Sequence, residues 1–337
     1  MFELGNYKNY SAISSSRSSL LLNAFLRTCA RGKYIALPWN VCTEISLSII
    51  NSGIIPYYID INENFHVEEE EIMKIPNKVK MYLNIHQYGQ WSPISPNIKK
   101  KFSIIIDDAA QAFGAGTAEK QAGFDGDLGL FSFGKSKHIN IGGGLCLTRN
   151  KHVAKEITNY LKNLNFFDTQ VANKYNTNIL FRKIYDFENN KNVDWNSLKF
   201  RYKVLKPSIK LHNLQKYFNY MDKAKTLGDK RLKKAKELAL LLPKHLGKIT
   251  NLNDKDSPWR VNINANHLSK KKYTAIFNLI RSNKILVSNW YYPSHLIFKD
   301  KSIKNFNTIN KYQKFQFLIS NKKEYIFIDN LIRNFDK

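Results

Sequence analysis

The chain has 337 residues, 43% of them hydrophobic, with 53 Lys and Arg against 27 Asp and Glu, and only three cysteines. That length and apolar content predict a globular chain of two domains with a sizeable core. No apolar run nears the roughly 18 residues of a bilayer span, the first residues lack the basic-then-apolar pattern of a signal peptide, and Cys29, Cys42 and Cys146 show neither a disulfide framework nor metal-ligand spacing. An integral membrane segment, a disulfide scaffold and a metal site are therefore not expected, and a cytoplasmic location is.

The net charge of +26 is unevenly placed. Residues 1–150 hold 15 basic and 13 acidic residues, and the remainder holds 38 and 14. Such a field suits anionic ligands. A Lys-, Asn-, Ile- and Tyr-rich composition of genomic origin gives the same asymmetry. No recognition motif supports nucleic acid as a partner.

In chain order, Ser14-Ser-Ser-Arg-Ser-Ser19 reads as a small polar loop opening onto an apolar helix from Leu20. Tyr34–Pro38 is a predicted strand, Thr43–Asn51 a helix ending before Gly53, and 54–59 a strand. The acidic run from Glu68 to Glu71 starts a helix, where negative charge suits the dipole. Strands follow at 79–85 and 103–106, then 128–133 and Gly144–Thr148 as neighbours. Strands alternating with helices of this length predict an α/β fold with a largely parallel sheet. Residues 151–164 read as a helix, and 165–200 resist assignment. The stretch 211–242 reads as one long helix, broken near Gly228 and ended by Pro243; its seven Lys and Arg from Lys223 to Lys236 suit a solvated face. Strands at 259–265 and 284–290 suggest a smaller α+β domain.

Four pieces of the chain point to one chemistry. The Ser16-Arg17-Ser18 turn before a helix offers backbone N–H groups, hydroxyls and a guanidinium to a phosphate, although an ordinary Ser-rich helix cap looks the same. Asp107 and Asp108 end the strand Ser103-Ile-Ile-Ile106. An acid there can hold the protonated nitrogen of a pyridine ring. Asp108 is assigned that role and Asp107 the opposite face, because strand side chains alternate; Gln111 lies within reach of the same ring. Ser132 is followed by Lys135 and Lys137, and lysine forms Schiff bases with pyridoxal phosphate. Residue chemistry alone does not separate the two lysines. Gly142, Gly143 and Gly144 then allow a close backbone approach.

These segments, with Asn84-Ile-His-Gln-Tyr-Gly-Gln90, Leu37-Pro-Trp-Asn-Val-Cys-Thr-Glu44, Gly126-Asp127 and, more faintly, Trp290-Tyr-Tyr-Pro-Ser-His-Leu296, resemble the DegT/DnrJ/EryC1/StrS family of sugar aminotransferases. The likeness is ordered over about residues 14–150. It implies a pyridoxal 5′-phosphate-dependent transferase of fold type I. A mostly parallel large domain (1–220) would precede a small C-terminal α+β domain (221–337). It implies a homodimer with the site at the subunit interface, an amino-acid donor such as glutamate, and a nucleotide-linked keto-sugar acceptor. It selects Lys137 as the Schiff-base lysine, five residues after the phosphate serine, Ser132. It carries the cofactor-binding roles onto Ser16, Arg17, Ser18, Cys42, Asp108, Gln111 and Ser132. Cys42 stands where the family often has a stacking aromatic ring, and no word matches the family's partner-subunit asparagine. A subgroup of the family that dehydrates sugars has histidine at the lysine position; here that residue is Lys137, with His138 beside it. His86, Tyr88 and His295 are candidates for the substrate side of the site, although a packed or surface role is favoured for each histidine over a substrate contact. A dehydratase of the same fold and a non-catalytic binding subunit are the rival readings.

Overall fold

The structure, a computed structural model, describes residues 2–134, 137–164, 213–289, 291, 294 and 312–335. The chain opens with a hairpin, β1 (Phe2–Tyr7) and β2 (Tyr10–Ser15), turned through Lys8 at φ 53°. Ser14 and Ser15 are therefore strand residues, and the expected polar loop shrinks to Ser16 and Arg17. Helix α1 (Ser18–Cys29) starts directly after them.

Strands β3 (Tyr34–Pro38), β4 (Ile55–Ile59), β5 (Met81–Ile85), β6 (Ile104–Asp108), β7 (Leu128–Ser132) and β8 (Gly144–Thr148) complete an eight-stranded sheet. Its order is β1-β2-β8-β7-β6-β5-β3-β4. Every pairing among β3 to β7 is parallel; β8 is antiparallel to both its neighbours. The mostly parallel α/β sheet and the pairing of β7 with β8 are as the sequence predicts.

Side-chain alternation lets the sheet bury both faces. Ile104, Ile106, Leu128 and Leu130 join one core with α1, α2 (Thr43–Asn51) and α5 (Lys151–Lys162). Ile105 points to the other face, beside α3 (Glu69–Met73) and α4 (Pro96–Lys101). Phe131, Leu145 and Leu147 share that face with α6 (Leu214–Met221). Each such fully buried aliphatic side chain contributes about 1.5–3 kcal/mol. Local caps fix the helix starts: the Asn150 side chain accepts the His152 and Val153 N–H groups at α5.

The stretch 211–242 is not one helix. It breaks at Asp222 and Lys223 into α6 and α7 (Ala224–Ala239), and Gly228 lies inside α7. A Cβ on Gly228 would sit 2.7 Å from the Gly114 carbonyl oxygen. This glycine serves close packing of helix on loop rather than a break, which periodicity along one segment does not reveal.

A second, antiparallel sheet has the order β11-β12-β10-β9. Its strands are β9 (Lys248–Ile249), β10 (Val261–Asn264), β11 (Val287–Ser288) and β12 (Lys314–Phe317). Helices α8 (Lys270–Ser282), α9 (Lys322–Phe335) and the end of α7 pack on it through Ile276, Ile328 and Leu238. The predicted strands at 259–265 and 284–290 shorten to β10 and β11. Among the described residues no helix is long and apolar enough to cross a membrane.

Candidate active site

Ligands of open α/β sheets gather beyond the carboxyl ends of the parallel strands; Asp108 ends β6, Ser132 ends β7, and Lys137 lies in the segment that follows. The register across β7, β8 and β2 places Ser132 opposite Gly144, and Gly144 opposite Ser15. The start of α1 rests on this row. A Cβ on Gly144 would fall 2.2 Å from the Ser18 nitrogen and 2.7 Å from the Arg17 carbonyl carbon. Only glycine admits the helix terminus this closely, so Ser16, Arg17, Ser18 and Ser132 form one cradle. Arg17 is the N-cap residue, with no side-chain cap bond to the helix. Its guanidinium pairs with Glu44, from the first turn of α2, at 3.0 and 3.1 Å.

Beyond β7 the chain loops out from Gly134 and returns through Gly142 and Gly143, both at positive φ. Phe133 closes the loop by bonding Gly142 and Gly143. Lys137 rides on this loop, its N–H donating to the Gly134 carbonyl at 3.0 Å. Its amine lies 5.1 Å over the Trp259 ring. Burial lowers its pKa; Cys42, Asp108 and Glu44 oppose that shift, and Arg260 adds to it. An amine so placed loses its proton more readily than a surface lysine, as a nucleophile must. Lys135 lies outside the described residues.

Asp108, at the end of β6, is buried and accepts the Ala110 N–H through Oδ1 at 2.9 Å. Burial raises its pKa, with Lys137 among the groups acting against the rise. Asp107 faces the other way. Its Oδ1 receives His86 Nε2 at 2.9 Å and Asn84 Nδ2 at 3.0 Å; its Oδ2 receives the Gly123 and Asp125 N–H groups at 2.8 and 3.1 Å. Burial works against this carboxylate, but His86 and the other donors outweigh it and hold its pKa below the usual range. The two acids take opposite faces, as alternation predicts: Asp107 is fully satisfied, while the Lys137 amine acts on Asp108.

Three of the candidate residues are engaged within the fold. His86 is packed, the role favoured for it over a substrate contact. It is 1% exposed, its Nδ1 accepts the Ser92 N–H at 2.9 Å, and the proton this leaves on Nε2 goes to Asp107. Tyr88 is also interior, at 0% exposure, with its hydroxyl bonded to Tyr312 and Lys314. Gln111 accepts the Tyr88 N–H at 3.1 Å and donates to Gln87 at 3.2 Å, which braces the Tyr88 turn, a left-handed one at φ 58°. His295 lies outside the described residues. His138, beside Lys137, donates Nε2 to the Ser257 carbonyl at 2.8 Å, and burial holds its pKa well below the ordinary histidine value.

Sequence reasoning missed Trp259, Arg260, Glu44 as the partner of Arg17, and Lys314. The Arg260 guanidinium lies 4.4 Å over Trp259 on the same ring that Lys137 approaches. Trp259 stacks on Tyr291, and Tyr291 on Tyr88, whose hydroxyl meets the Lys314 amine. Lys314 is fully buried amid the rings of Phe65, Tyr88 and Tyr312. Burial and then Arg260 lower its pKa far below the ordinary lysine value. The unfolded chain thus binds a proton that the folded one lacks, so stability rises with pH from the folded pKa up to the unfolded value near 10.4. Urea unfolding of the native chain and Lys314→Met at several pH values should show the native chain gaining on the variant with rising pH. The expected slope is about 1.4 kcal/mol per pH unit inside that window; a pH-independent difference would show that Lys314 keeps its proton.

A separate cavity of about 920 Å³ opens beside Trp91, Gln90, Lys244 and Asp256, and none of the cradle residues, Asp108 or Lys137 lines it. Among the described residues no group of three His, Cys, Asp or Glu is placed to hold a metal ion.

Residues 8–307 match the family model described as the DegT/DnrJ/EryC1/StrS aminotransferase family. The GDP-perosamine synthase of Escherichia coli O157:H7 is 29% identical over 153 residues, 43% of this chain and 42% of that protein. Alignments to the first curated relatives take in only 30% to 42% of those proteins' own lengths. Among solved structures, Helicobacter pylori PseC is described as an aminotransferase involved in the biosynthesis of pseudoaminic acid. It superposes with a TM-score of 0.67 at 15% identity, over 96% of this chain and 86% of that one. The E. coli GDP-4-keto-6-deoxy-D-mannose-3-dehydratase, with bound hydrated pyridoxal phosphate, gives 0.64 at 15% identity, over 98% and 92%. These likenesses establish a shared fold, the fold type I architecture that the resemblance implies.

Proposed function

The chain belongs to the DegT/DnrJ/EryC1/StrS aminotransferase family, and from that premise we propose that it is a pyridoxal 5′-phosphate-dependent aminotransferase acting on a nucleotide-linked keto-sugar. The observation that carries the proposal is the convergence of Lys137 and Asp108 near the Arg17 turn, with Cys42 and Glu44 close enough to act on the same amine. These residues fit the cofactor. Gly144 leaves a cradle that a Cβ would fill, and Asp108 is a buried acid facing a cation.

Ser16, Arg17, Ser18 and Ser132 would hold the phosphate. Asp108 would keep a proton on the ring nitrogen, and Cys42 would lie along the ring. When bound, the cofactor supplies an electron sink for the bonds at the donor carbon. The Lys137 amine would attach the cofactor, then take the proton from the donor's α-carbon and return one at the neighbouring carbon, as base and acid in turn. Glutamate as donor, a homodimeric assembly in the cytoplasm and a division near residue 220 complete the reading.

Dehydration is the second reading, favoured by the likeness to the dehydratase fold. Against it, Lys137 keeps an amine in the site, while His138 is engaged with Ser257. Product mass decides. After loading with pyridoxal phosphate, the protein is given glutamate and a nucleotide-linked 4-keto-6-deoxy sugar. A product with an amine in place of the ketone, with glutamate consumed, is the expected result. Loss of water without an amine would establish the dehydratase, and an unchanged sugar would favour a binding subunit.

A further inference from the structure

The phosphate cradle contains its own anion. Glu44 enters from the first turn of α2 and places Oε1 and Oε2 at 3.1 and 3.0 Å from Arg17 Nη1. Its Oε2 also receives the Ser19 hydroxyl at 3.4 Å, in the first turn of α1. One carboxylate thus touches the guanidinium of the cradle and a hydroxyl in the first turn of α1. It acts on the Lys137 amine as well. The pair is half-buried, with the two side chains 31% and 22% exposed, so water screens it only in part. A surface Arg–Glu pair elsewhere would be unremarked. Here the guanidinium is carried by the residue whose backbone rests on Gly144, where there is no room for a side chain.

We propose that Glu44 is a competing anion built into the cradle, so that the phosphate of the cofactor gains Arg17 only by displacing this carboxylate. The inference rests on the pyridoxal phosphate reading above. Its consequence is selective. Ligands that carry phosphate meet the opposition of Glu44, and ligands that lack it do not. The chain would hold its cofactor more weakly than the rest of the cradle allows, and Glu44 would set that affinity.

The test compares pyridoxal phosphate with pyridoxal, which has no phosphate, by titrating the native chain, Glu44→Gln and Glu44→Ala and following the visible absorbance of the bound ligand. Inorganic phosphate is added as a competitor. Both variants are expected to bind pyridoxal phosphate about tenfold or more tightly, since one unit charge is removed from beside a dianion. Any change in the Lys137 amine acts on both ligands alike, so the affinity for pyridoxal phosphate relative to pyridoxal should rise in both variants, and inorganic phosphate should compete better in them. Two substitutions guard against one of them failing to fold. Equal affinities in all three proteins, or weaker phosphate-dependent binding in both variants, would overturn the inference while leaving the cofactor reading standing. Absence of binding to all three would overturn both together.

Discussion

Lys137→Ala is expected to lower transamination by about a thousandfold or more and to remove the visible absorbance of a covalently held cofactor. The loss follows from what surrounds the amine. It lies 5.1 Å over Trp259, with Cys42, Asp108 and Glu44 acting on it. A base that moves protons at the reacting carbon is worth about 10²- to 10⁴-fold, and covalent attachment adds to that. Among the described residues, neither basic neighbour is suited to take over. His138 donates to the Ser257 carbonyl, and burial disfavours its protonated form. The Arg260 guanidinium over the same ring keeps its charge even though burial lowers its pKa to about 10. Lys137→Arg should fail as badly, because it restores charge without a nucleophile. Non-covalent affinity for pyridoxal phosphate should survive in both variants, since Ser16, Arg17, Ser18 and Ser132 are untouched. Stopped assays of kcat beside an absorbance titration separate the two effects; a variant with near-native kcat would remove Lys137 from the chemistry.

The second large effect is on stability, and it comes from the neighbouring pair of acids. Asp107→Ala should cost about 3–5 kcal/mol, since each buried donor left without its acceptor costs about 1–3 kcal/mol and several are affected at once. The substitution takes an acceptor from four donors at once: the buried His86 Nε2, Asn84 Nδ2 and Gly123 N–H and the half-buried Asp125 N–H. Asp108→Asn should behave oppositely, leaving stability near native or raising it while activity collapses. Its folded pKa is raised by burial, so its ionised form is a cost to the fold. The pH dependence separates them as well. Asp107 has a lowered pKa in the folded state. Its contribution is therefore present above the unfolded value near 3.9 and is lost as pH falls through the folded one. Asp108 contributes in the other sense, its cost growing as pH rises past the unfolded value. Urea midpoints for the native chain and both variants between pH 3 and pH 7 test the pair. An Asp107→Ala protein as stable as the native chain would mean that water or a neighbour satisfies those donors.

The strand ending in Asp107 and Asp108 shows how much a sequence can carry. Three isoleucines announce a buried parallel strand, and alternation alone sends the two acids to opposite faces, as Ile105 and Ile106 go to different cores. The cradle was legible for a similar reason, since its parts are short words at fixed spacing. The N-terminal hairpin was not. Tyr10–Ser15 carries too few bulky residues to announce a strand, and it is stabilised by pairing with β8, more than 130 residues away in sequence. Nor could Trp259 be found. It meets Lys137 only because Gly89 and Gly114 let the 257–259 segment and α7 press against the first sheet's loops, where a Cβ would come within 2.1 Å of a backbone oxygen. Such contacts leave no periodic trace. The partners that hold Tyr88 and His86 were hidden for a related reason. Polar side chains in a loop beyond a strand usually face a ligand, but here Lys314 and Asp107 reach in from elsewhere and take them. The glycine in α7 was read as a breaker when it is a packing residue.

The central claim is that one lysine of this strongly basic chain carries the cofactor. The direct measurement is to load the protein with pyridoxal phosphate, fix the linkage by borohydride reduction, digest, and map the modified peptide by mass spectrometry. The phosphopyridoxyl mass is expected on Lys137 alone, at close to one per chain, and absent from Lys137→Ala. The same mass on Lys135, its scatter over surface lysines, or no modification at all would contradict the account.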